Sequence, residues 1–114
     1  MSIITKEQIL KINNACSNGW QLNMFYYQTH QVKTLINKIE IDEKNFLGFE
    51  LYYNSQNQIS LKISKFYYVV DDLASTSGAY KTIILDETPT KRKSINNLIP
   101  FTKDLDKDKL MELS

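Results

Sequence analysis

Cysteine is nearly missing from this 114-residue chain, where Cys16 stands alone. A single cysteine excludes an internal disulfide framework and a cysteine-rich zinc site. Histidine is as scarce: His30 has no second histidine at ligand spacing, so a histidine-based metal centre has no local support. The only glycines, Gly19, Gly48 and Gly78, are too scattered to cradle a phosphate or dinucleotide. Two prolines and three glycines leave no low-complexity linker. No stretch approaches the roughly 20 apolar residues of a membrane-spanning helix. The first ten residues carry Lys6 and Glu7 and lack the apolar core of a signal peptide. Charge of one sign is also lacking. Lys+Arg 14 against Asp+Glu 13 leaves +1, which excludes a nucleic-acid binder that works by charge alone.

What is present suits one compact domain with its own core: 42% of the residues are hydrophobic. Positive charge is almost all Lys, with Arg92 the only Arg. Together with abundant Asn and Ile, this composition points to an AT-rich bacterial, plasmid or phage genome. A lone cysteine suits a reducing, cytoplasmic setting.

The first element is a helix, expected over residues 6 to 17. Thr5 and Gln8 have capping-box spacing, Ile4 and Ile9 flank the cap as a staple, and Ile9, Ile12 and Cys16 share one face. Asn18-Gly19 supplies residues that tolerate a left-handed cap. The period then changes to two. Trp20, Leu22, Met24 and Tyr26 alternate with polar or aromatic neighbours as a first strand, closed by a polar turn at Gln28-Thr29-His30-Gln31. Residues 32 to 42 read as a second strand with Leu35, Ile39 and Ile41 on one face. Leu47, Phe49, Leu51 and Tyr53 mark a third, and Ile59, Leu61 and Ile63 open a fourth. Phe66-Tyr67-Tyr68-Val69-Val70 is apolar on both sides, and residues 80 to 85 predict a fifth strand. In the tail, Ile95, Leu98 and Ile99 are helically spaced, Pro100 breaks that segment, and residues 104 to 113 read as an amphipathic helix. The expected class is α+β: an N-terminal helix, about five antiparallel strands in a bent sheet, and a short C-terminal helical tail. Residues 1–87 would form the helix-plus-sheet domain, with 88–114 as a basic, amphipathic tail packing on it.

Catalytic constellations are hard to find. His30 reads as an exposed turn residue and Cys16 as a core residue on the apolar helix face. The pairs Asp42-Glu43, Asp71-Asp72 and Asp86-Glu87 sit at strand ends, where acidic residues punctuate turns. The chain is therefore expected not to be an enzyme and to need neither cofactor nor metal. A small hydrolase using His30 with an acidic partner is the weakest of the readings.

The distinctive feature is aromatic. Tyr26-Tyr27, Tyr52-Tyr53 and Tyr67-Tyr68 form adjacent pairs on three predicted strands, and the pleat sends one of each pair to the core and one outward. Such rings either cover the sheet for packing alone or present contact area to a partner. On the second view Tyr27, Tyr52 and Tyr68, with the loop residues Ser75, Thr76 and Ser77, form a partner-binding surface. An alternative is an aromatic sheet that stacks unpaired bases, with Lys33, Lys62, Lys65, Lys91, Arg92 and Lys93 meeting phosphates. The cluster Lys91-Arg92-Lys93 reads more simply as solvated, or as paired with Asp104, Asp106 and Asp108.

The stretch from Ile4 to Asp71 resembles the YolD-like proteins of low-GC Gram-positive bacteria and their mobile elements. The resemblance lies in Ile4-Thr5-Lys6-Glu7-Gln8-Ile9-Leu10, in Met24-Phe25-Tyr26-Tyr27, in the segment from Val32 to Asp42, and in Ile59-Ser60-Leu61-Lys62-Ile63. It departs from that family in lacking an Arg-Gly N-terminal segment, in having Asn37 where Gly is expected, and in the tail after Gly78. The resemblance implies a helix followed by a strongly bent, SH3-like or Sm-like sheet, and an accessory role beside translesion DNA polymerases. It transfers no catalytic residue.

The functional expectation is a non-catalytic accessory or inhibitor protein of a phage or mobile element. It would bind a host protein, a nucleic-acid-processing enzyme, and act by occupancy in the cytoplasm. Direct single-stranded nucleic-acid binding is the alternative, and a homodimer is compatible with either. No membrane association is expected.

Overall fold

The computed structural model describes residues 4–27, 29–56, 58–67, 80–86 and 95–114, with backbone alone at Tyr27, His30, Tyr67 and 80–86. The class is α+β, with an N-terminal helix, an antiparallel sheet and a short C-terminal helix. No helix among these residues is long and apolar enough to cross a membrane.

Helix α1 spans Lys6–Ala15. It starts where the sequence sets both halves of a capping box: Gln8 N–H donates to Thr5 Oγ1 at 3.2 Å, and Thr5 N–H to Gln8 Oε1 at 2.8 Å. It ends two residues earlier than its pattern predicts. Cys16 is already extended, and the Ser17 amide donates to Thr102 Oγ1 at 3.0 Å in place of a helical carbonyl. Asn18 and Gly19 then take positive φ, 61° and 84°, which turns the chain into the sheet.

Among the described residues, five strands follow as a meander in sequence order: β1 Gln21–Tyr27, β2 His30–Glu40, β3 Asn45–Tyr53, β4 Ile59–Tyr67 and β5 Tyr80–Asp86. Each pairs antiparallel with its neighbours in the chain, so β1 and β5 are the two edges. His30 and Gln31, expected in a turn, belong to β2 opposite Tyr27 and Tyr26. Ile41 also departs from expectation. It lies beyond the end of β2 and is exposed, because the chain turns at Asp42.

The register places Leu22, Leu35, Leu51 and Leu61 opposite one another in turn, a row that continues at Ile83 of β5. Leu35, Leu51 and Leu61 are fully buried, and each is worth about 1.5–3 kcal/mol by apolar burial. Phe49 with Ile63 and Leu47 extend this face, and Ile12, Trp20, Leu98, Leu105 and Leu110 join it in one core. The helical segments at both ends of the chain therefore share one hydrophobic core with the sheet.

The tail departs from its predicted form. Two short 3-10 helices, Ile95–Asn97 and Ile99–Lys103, precede α2, Lys107–Leu113. Pro100 lies inside the first turn of the second 3-10 helix and does not break the segment, since first-turn amides need no helical partner. Helix α2 begins three residues later than expected because Asp106 caps it, accepting the Lys109 amide at 2.8 Å. Leu105, left outside the helix, is buried.

Candidate functional site

The hairpin register brings Phe25 opposite Val32, and β3 carries Tyr52-Tyr53 into the Asn54 turn. These segments, with Ile95 from the tail, line a groove of about 730 Å³. Consecutive residues of β2 and of β3 contribute to it, so it takes in both side-chain directions at this end of the sheet. Its aromatic wall is Phe25, Tyr52 and Tyr53, and its polar lining includes Lys33, Thr34, Glu50 and Asn54.

The polar groups are ordered. Thr34 is buried and its hydroxyl donates to Glu50 Oε2 at 3.2 Å. Asn54 organises the β3–β4 turn: its Oδ1 accepts the amides of Gln56 and Gln58 at 2.9 and 3.0 Å, while its Nδ2 donates to Ser60 Oγ at 3.1 Å. Tyr53 is different. Its hydroxyl oxygen is buried and has no hydrogen-bond partner among the described residues. Lys33 and Glu50 give the groove one charge of each sign.

Of the residues singled out from sequence, Tyr52 and Lys33 meet in this groove, although they came from rival readings. Both members of the Tyr52-Tyr53 pair are half-buried, but Tyr53, in phase with Leu47, Phe49 and Leu51, packs against the core while Tyr52 does not join it, as the pleat predicts. Tyr27 ends β1, where only its backbone is described. Lys62 lies opposite Glu50 on β4, and Lys65 lies opposite Leu47, near the other end of the sheet. The three lysines thus form no single stripe. Tyr68, Ser75, Thr76, Ser77, Lys91, Arg92 and Lys93 lie outside the described residues.

Phe25, Thr34, Glu50 and Ile95 were not singled out from sequence. Alternation along β1 puts Phe25 on the same side as Tyr27, a signal that was there to read. Ile95 carried none, since its approach depends on the path of the tail.

Cys16 is half-buried against the core, and burial pushes its thiol above the ordinary range, away from the thiolate form. Asp42 behaves as turn chemistry requires. The Asn45 side-chain amide at 2.9 Å, then the Lys44 amide at 2.8 Å, hold its carboxyl below its ordinary value. Among the described residues, no group of three or more His, Cys, Asp or Glu side chains is placed to hold a metal ion. No family model, no curated protein and no solved structure matches this chain.

Proposed function

We propose that this chain is a non-catalytic binding protein, an accessory or inhibitor from a phage or mobile element that docks on a host nucleic-acid-processing enzyme in the cytoplasm. The observation that carries this reading is the groove itself. Three aromatic rings, the aliphatic side chains of Val32 and Ile95, and ordered amide and hydroxyl groups make a contact surface with balanced charge. Aromatic side chains supply large contact area at low entropic cost, and neutral lining suits a protein better than a polyanion. Tyr52 is the anchor of this surface, and Tyr27, Tyr68, Ser75, Thr76 and Ser77 belong to the same proposal. Kinship with YolD-like proteins, and an SH3-like or Sm-like bend of the sheet, belong to the same proposal.

The test is capture of partners from a host lysate by the tagged chain, with and without nuclease, in parallel with a Tyr52→Ala variant. A discrete protein that survives nuclease and is lost with Tyr52→Ala supports the proposal. Equal capture by the variant removes Tyr52 from the surface.

One observation favours the nucleic-acid alternative: Lys33 lines the same groove as Phe25 and Tyr52, an arrangement suited to stacking a base beside its phosphate. Glu50 in the same groove opposes it. That reading requires oligonucleotide affinity that falls steeply with salt, and no binding at low salt ends it.

A further inference from the structure

Among the described residues, strand β1 pairs with β2 and with no other strand. The Leu22 amide points away from that pairing and is held by Asn13 Oδ1 of α1 at 2.7 Å. In an antiparallel ladder the N–H and C=O of one residue point the same way, and the direction alternates along the strand. Met24 and Tyr26 therefore also aim their amides and carbonyls outward, and no described residue bonds to them.

This open edge is apolar as well. Phe25 is 43% exposed and Tyr26 66% exposed. Edge strands are normally kept from pairing by lysine, proline or a bulge. Here no Asp, Glu, Lys or Arg occurs between Lys11 and Lys33, and β1 pairs without a register shift from Gln21 to Tyr27.

We infer that β1 pairs antiparallel with β1 of a second copy of this chain, about a two-fold axis at Phe25. In that register Met24 of each copy faces Tyr26 of the other, and the two residues' amides and carbonyls satisfy one another. Moving the axis to Met24 would set Leu22 opposite Tyr26, and the Leu22 amide is already taken by Asn13. The Phe25-centred register is the one that uses the free groups and leaves the occupied one alone. Phe25 falls at a non-hydrogen-bonded pair, where opposing Cα atoms approach to about 4.5 Å and the side chains are closest. The two rings thus pack on the axis, and the Met24 thioether meets the Tyr26 ring of the other copy. The absence of charge along the edge lets identical strands meet without repulsion. Phe25 also lines the groove that holds Tyr52, whereas Met24 and Tyr26, whose backbone groups make the pairing, do not, so a Tyr26 variant tests the dimer without touching that groove.

Sedimentation of the full chain over a range of concentrations tests it. The expected species has twice the 13.3 kDa mass of the chain. Tyr26→Lys, at an exposed position, sediments as a folded monomer with an unchanged circular dichroism spectrum. Cross-linking reads the register. In a Cys16→Ser background, which still dimerises, Phe25→Cys forms an intermolecular disulfide on oxidation because the Cα separation lies within disulfide reach. Asn23→Cys does not, since it would face Tyr27. A wild-type chain that stays monomeric throughout overturns the inference, leaving the edge to a strand of another protein. Cross-linking through Asn23→Cys in preference to Phe25→Cys overturns it too.

Discussion

The indole Nε1–H of Trp20 donates to the carbonyl of Leu105 across 85 residues, at 2.9 Å and out of reach of solvent. Around it, Ser17 donates to Thr102 Oγ1, and Asn18 Nδ2 donates to the Thr102 carbonyl at 2.7 Å. The loop between α1 and β1 is therefore bolted to the chain just before α2. Trp20→Phe would leave the Leu105 carbonyl buried without a partner. The expected loss is about 1–3 kcal/mol, seen as a lower urea midpoint at unchanged slope.

Gly48 sits beneath an aromatic ring. A Cβ placed there would lie 2.8 Å from Phe66 Cε2, and the Phe66 ring stacks on Phe46 with centroids 4.8 Å apart. Gly48→Ala must push that ring off its stack and is expected to cost about 1–3 kcal/mol. Shortening the ring relieves the clash, so Gly48→Ala with Phe66→Leu should destabilise by less than the sum of the two changes. Thermal unfolding of the four-member cycle measures this.

Asp42 should titrate below its ordinary value, first because of the Asn45 side-chain amide and then because of the Lys44 backbone amide. A carboxyl made more acidic by folding favours the folded state while charged. That contribution is complete above the carboxylate range of the unfolded chain and fades as pH falls through the lower, folded value. An NMR titration of the Asp42 carboxyl gives the direction directly. Asn45→Ala should move its midpoint up.

Tyr53 buries a hydroxyl without a partner among the described residues. Tyr53→Phe removes a polar atom that folding takes from water without return, so it should be neutral or stabilising, by up to about 1 kcal/mol. A loss of stability of that size would reveal a partner for the hydroxyl. Chemical denaturation distinguishes the two.

Much of the fold is legible because its signals are local. The capping box needs only Thr5 and Gln8 three residues apart, and Asn18-Gly19 announces a left-handed turn wherever it occurs. Alternation alone identified Leu47, Phe49, Leu51, Ile59, Leu61 and Ile63, all of them buried. The candidate site is less legible. Tyr52 was recognisable as an aromatic on a strand, and Glu50 lies two residues before it on β3, but its neighbours Lys33 and Phe25 come from β2 and β1. Only the register sets them side by side.

By itself, then, the sequence determined the identity and order of α1, the strands and α2, because hydrophobic period, caps and turn residues act over a few positions. Tertiary structure decided which residues meet. Helix α1 stops early because Thr102 claims the Ser17 amide, and Leu105 is core without being helical because Trp20 holds its carbonyl. The outward direction of Met24 and Tyr26 follows from pairing with β2 and from Asn13 occupying Leu22. Such contacts join residues far apart in the chain, and no local pattern encodes which of many compatible partners the folded core will bring together.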